Sequence, residues 1–155
     1  MTTKKPVTTN QPAPSNQPVA ALTYLMAGQV HAHDRWVQRF TEADRQHYLD
    51  LLSALFVLCA DRRFRRDDHG AVIRFVASVR ERFDPDRTMV DPVIAENLLL
   101  AALGRHETLP ATAENITVQT LLTVALVSDE QPSPAGYDAL LREVDAMVTT
   151  ASPPG

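Results

Sequence analysis

The sequence predicts an all-α fold, a single-domain bundle of about six helices behind a disordered N-terminal tail. Three observations lead there. Apolar residues recur at spacings of three and four along most of the chain, the repeat of one helix face. Prolines and glycines fall where helices start and stop, and no two-residue hairpin signal separates apolar runs. No repeat of solenoid period is present. The chain has 155 residues, 45% of them hydrophobic and 22% charged, which suits one soluble domain with a sizeable core.

The segment the rest must pack around runs from Thr41 to Phe64. Thr41 is placed to cap it, with Asp44 three residues on in a capping-box position. Tyr48, Leu51, Leu52, Leu55, Leu58 and Cys59 recur at helical spacing, and Phe56 and Val57 widen the stripe. A helix apolar around most of its circumference is a buried, central one. Ahead of it, residues 1–17 are mainly Thr, Pro, Asn and Gln, too poor in large apolar side chains to offset the entropy of ordering. The helical domain is expected over 18–150, and 151–155 should fray.

Between tail and central helix, Val19, Leu22, Met26, Val30, His33, Val37 and Phe40 keep one apolar phase across Gly28. That continuity predicts a single helix over about 18–40. On the other side of the central helix, Asp67 or Asp68 caps a helix with Val72, Phe75, Val76, Val79 and Phe83 on one face, stopped by Asp84-Pro85-Asp86. Asp91 and Pro92 open the next, which ends near Leu103 before Gly104. A loop through Pro110 leads to a helix near 116–127, whose β-branched residues leave strand as an alternative. Ser133 and Pro134 open the last, with Tyr137, Leu140, Leu141, Val144, Met147 and Val148 on one face.

Net charge is −4, which argues against general polyanion binding. The charge is unevenly spread. Residues 1–83 hold twelve Lys and Arg against eight Asp and Glu, while 84–155 hold three against eleven. The two parts should attract each other, within one chain or between chains. Cys59 stands alone in the most apolar segment, so no internal disulfide forms and the thiol reads as a small core residue. No apolar run is long enough for a bilayer, and the N-terminus lacks the apolar stretch of a secretory signal, which makes the cytoplasm the expected location.

His31-Ala32-His33-Asp34 is the one fragment that invites an enzyme label. The adjacent His33-Asp34 pair resembles the dyad of the all-α HD-type metal phosphohydrolases, which implies a divalent cation shared by imidazole and carboxylate. Those enzymes take a further His and a further Asp from separate helices. Here the upstream histidine is only two residues away, and nothing selects among Asp50, Asp61, Asp67 and Asp68. His33 also lies on the apolar stripe, where a hydrogen-bonded packing histidine is expected. His47, His69 and His106 are scattered and join no metal motif. Glu96 sits in an otherwise apolar helix and, if buried, needs a partner such as an arginine of the preceding helix.

The densest positive cluster is Arg62-Arg63-Phe64-Arg65-Arg66. Phe64 should turn inward. Flanking Asp61, Asp67 and Asp68 cannot satisfy four guanidiniums, so the cluster reads as a docking point for carboxylates rather than nucleic acid. An acidic partner is one source. Another is a second copy offering Asp129, Glu130, Glu143 and Asp145. The expected function is therefore a small adaptor or regulatory module without catalytic activity or cofactor, working through charged helix faces. The alternatives are the metal-dependent phosphohydrolase at His33 and Asp34, and a helical domain that binds a small molecule between its apolar helices.

Overall fold

A computed structural model describes residues 17–151. Among them are seven α-helices and no strand: α1 Gln17–Met26, α2 Val30–Val37, α3 Glu42–Phe64, α4 His69–Phe83, α5 Pro92–Ala102, α6 Ala113–Glu130 and α7 Pro134–Ala151. The all-α class stands. The tail expected over 1–17 lies outside the described residues except for Gln17, which already belongs to α1. Of the expected frayed end, only Ala151 is described.

The described chain divides into two compact units, one ending at Leu51 and the other beginning at Leu52. The first holds α1, α2 and the opening of α3. Its interior comprises Ala21, Leu22, Leu25, Phe40, Tyr48 and Leu51. Here the single helix expected over 18–40 is corrected to two. Gly28 takes φ +79°. Its N–H donates to Leu25 O at 3.0 Å, and the Gln29 N–H donates to Tyr24 O at 2.9 Å. That pair of bonds is the Schellman ending, in which a left-handed residue closes a helix. No residue of α2 is fully buried, and Val30, placed on the continuous stripe, is 53% exposed.

α3 starts as its sequence dictates. The Asp44 N–H donates to Thr41 Oγ1 and the Thr41 N–H to Asp44 Oδ2, both at 3.1 Å, so the capping box closes with Asp in the usual Glu position.

The second unit packs Leu52, Leu55, Phe56, Cys59 and Phe64 of α3 with Val72, Phe75, Val76 and Val79 of α4. Leu98 and Leu99 of α5, Leu122 and Leu126 of α6, and Leu140, Val144 and Val148 of α7 complete that core. Asp68 caps α4 by accepting from Ala71 N–H at 3.1 Å. Asp91 caps α5, and Gly104 ends it at φ +75° with a second Schellman pair of bonds. Gly136 N–H donates to Ser133 Oγ at 3.0 Å at the start of α7.

α6 is longer than expected at both ends; Thr112 sets its start by accepting from Asn115 N–H at 3.1 Å, and Gln131 ends it in a left-handed conformation. Asp84 does more than stop α4. Its carboxylate is 2% exposed and accepts from the N–H groups of Thr88, Met89 and Val90 at 3.0, 3.0 and 2.8 Å, which fixes the loop into α5. Burial alone would raise its pKa, but these donors and the Arg80 charge outweigh that and lower it. Ser53 of α3 is exposed and accepts from Gln119 Nε2 of α6 at 3.1 Å.

Candidate functional site

The arginine corner lies in the second unit, where the last turns of α3, α4 and α6 meet. A helix C-terminus carries partial negative charge, and α6 adds Asp129 and Glu130 to its own. α3 and α4 end in Arg62, Arg63, Arg80 and Arg82. Arg82 donates to Asp129 Oδ1 at 2.9 Å and to Oδ2 at 3.5 Å, and Arg63 donates to Oδ2 at 3.3 Å. Arg62 Nη2 lies 3.3 Å from Glu130 Oε1. Of the residues singled out for docking, Arg62, Arg63, Asp129 and Glu130 are thus brought together inside one chain. Arg82 completes the arrangement and was missed by the sequence reading; its placement in the last turn of α4 is the only local signal.

The remaining corner residues differ in occupation. Arg65 pairs along its own helix with Asp61, Nε donating to Oδ2 at 3.1 Å. Arg66 is exposed and has no hydrogen bond or ion pair among the described residues. Arg105 closes the corner from beyond α5, donating to Asp67 O at 3.1 Å and Arg65 O at 3.4 Å. Phe64 turns inward, 1% exposed, edge-on to Phe75 with centroids 5.3 Å apart. The Arg63 guanidinium covers both rings at 5.4 and 5.2 Å.

Glu143 and Asp145 stand exposed on α7. Glu143 and, more strongly, Glu130 act on Cys59, whose thiol is pushed up to about 12 by burial first and by these carboxylates second. Such a thiol is not a nucleophile at neutral pH.

In the first unit, His33 sits between two partners. Its Nδ1 is 3.0 Å from Asp34 Oδ1, and its Nε2 is 2.8 Å from Tyr48 Oη. With Nδ1–H donated to the carboxylate, Nε2 accepts the phenol proton. Both ring nitrogens are occupied, so a cation at His33 would have to displace one of these bonds. Tyr48 is 9% exposed. Its pKa is raised by burial and then by the Asp34 charge, which keeps the phenol protonated as the donor. No group of three or more His, Cys, Asp and Glu side chains suited to a metal ion occurs among the described residues. Tyr48 was read only as part of the apolar stripe. Elsewhere, Glu96 faces His69 at 4.0 Å, at the start of α4, rather than one of that helix's arginines.

Compared with protein families, characterised proteins and solved structures, the chain matches none.

Proposed function

We propose that the chain is a non-catalytic protein-interaction module, an adaptor that docks an acidic segment of a partner at the arginine corner. The observation that carries this reading is Arg66. After Arg62, Arg63, Arg65 and Arg82 have found carboxylates within the chain, Arg66 remains exposed and unpaired at the end of α3. Counting Arg66 itself, the corner's Arg62, Arg63, Arg65, Arg66, Arg74, Arg82 and Arg105 outnumber its Asp61, Asp67, Asp68, Asp129 and Glu130. A rim of guanidiniums held by internal pairs is preorganised for carboxylates and unsuited to a long polyanion, which needs a wider basic footprint. A second copy is the weaker partner, since Asp129 and Glu130, two of the carboxylates it would offer, are engaged within their own chain.

The test is fluorescence anisotropy with a labelled hexaglutamate peptide at low and high salt. The wild type should bind at low salt and release the peptide as salt rises, and Arg66→Glu should bind several-fold more weakly. Absence of binding at low salt, or tighter binding of a short DNA duplex, overturns the reading. Sedimentation of the wild type in the same buffers checks the second copy: a salt-sensitive dimer would transfer the corner to self-association.

A further inference from the structure

A cleft of about 270 Å³ opens between the end of α3, α4 and Asp129 of α6, walled by Phe64, Ala71 and Phe75 and edged by Arg63, Asp67, Arg74, Ser78 and Asp129, the last already engaged by Arg63 and Arg82. Pockets for drug-sized ligands begin at roughly 300 Å³, so an occupant of this one is a small molecule. Arg63 is not free to bind it, being hydrogen-bonded to Asp129 and stacked over both rings. Two charges are free. The Arg74 guanidinium and the Asp67 carboxylate have no hydrogen-bond or ion-pair partner among the described residues, and no ion pair joins them although both line one cleft. Arg74 folds back over the first turn of its helix; a Cβ on Gly70 would stand 3.2 Å from its Nη1 and 3.2 Å from Asp68 Oδ1, the oxygen that caps α4, so the glycine leaves that position open.

We infer that this cleft binds a small zwitterion of the free α-amino acid class, with its carboxylate on Arg74 and its ammonium on Asp67. The charge inventory selects the class. A simple anion would meet Arg74 but also the unpaired Asp67, and a simple cation would meet Asp67 but also Arg74. A molecule carrying both charges a few ångströms apart satisfies both walls. Arg74 offers a carboxylate the planar two-pronged donor it pairs with best. The Ser78 hydroxyl adds a donor or acceptor for a polar substituent. The cleft shares Arg63, Arg74, Asp67 and Asp129 with the charged corner but not Arg66, so Arg66→Glu should weaken the peptide and leave amino-acid binding unchanged, which separates this inference from the docking reading.

The experiment is isothermal titration of the full chain with glycine, L-alanine and L-leucine at millimolar concentrations. Alaninamide, which lacks the carboxylate, and N-acetyl-L-alanine, which lacks the ammonium, serve as controls. At least one free amino acid should saturate, and both blocked forms should bind at least about tenfold more weakly, the loss expected for one charge-assisted hydrogen-bond pair. Arg74→Ala and Asp67→Asn should each weaken binding at least about tenfold while circular dichroism and melting stay unchanged, since both side chains are exposed. Failure of all three amino acids to saturate overturns the inference. So does equal binding of the blocked forms, or wild-type affinity in either variant.

Discussion

Gly28 decides the topology of the first unit, because its φ of +79° is a left-handed conformation that a side chain makes costly. Nothing lies within 4 Å of a Cβ built there, so the obstacle to substitution is backbone strain and not crowding. Gly28→Ala should therefore destabilise the fold by about 1 kcal/mol. Urea denaturation checks this, and an unchanged midpoint would mean that α1 and α2 can join into one helix. The sequence held the glycine but not its conformation. Periodicity at spacings of three and four carries straight across a three-residue break when the next helix resumes in phase, so Met26 and Val30 read as one stripe. His33 shows a similar limit. Its place on a partly apolar face was legible. Its bonds to Asp34 and Tyr48 were not, because the second partner is fifteen residues away and the pairing is tertiary.

Among the elements, helix starts were the most legible, since a cap is a local hydrogen bond between residues two or three apart. Thr41 with Asp44, Asp68, Asp91 and Ser133 all cap where their sequences place them. α2 and α6 are the exceptions: Gln29 makes no side-chain cap at the start of α2, and Thr112 precedes a polar stretch with no apolar periodicity to announce a helix. The far end of α6 is also unusual. Gln131 caps it at φ +46°, a conformation that suits glycine better. The capping box of α3 offers the cleaner test. Thr41→Ala removes the acceptor for Asp44 N–H and should cost about 1 kcal/mol, while Thr41→Ser should keep most of it. Equal unfolding midpoints for wild type and Thr41→Ala would show that the box contributes nothing at this junction.

On the scale of the whole molecule, the uneven charge was legible but not its resolution, which sequence left open between pairing within a chain and pairing between chains. Convergence of three helix ends decides it for Asp129 and Glu130, where α3 and α4 arginines face α6 carboxylates. Burial alone would raise the Asp129 pKa; hydrogen bonds and charge from Arg82 and Arg63 outweigh it and lower the pKa. A carboxylate more acidic in the folded than in the unfolded chain stabilises the fold fully above its unfolded value, near about 3.9. It loses that contribution as pH falls through the lower folded value. Asp61 and Asp84 titrate in the same direction. Stability should thus hold down to about pH 4 and then decline as protons bind to these carboxylates. Asp129→Asn should cost no more than about 1 kcal/mol at neutral pH, because its arginine partners are about two-fifths exposed and their attraction is screened. The same variant should flatten the acid limb, having lost one of the three carboxylates, Asp61, Asp84 and Asp129, whose pKa is lowered. Urea midpoints from pH 7 down to pH 2.5 for both proteins provide the measurement. If the two curves run parallel throughout, Asp129 is no more acidic in the folded chain than in the unfolded one, and the staple across the three helix ends is electrostatically idle.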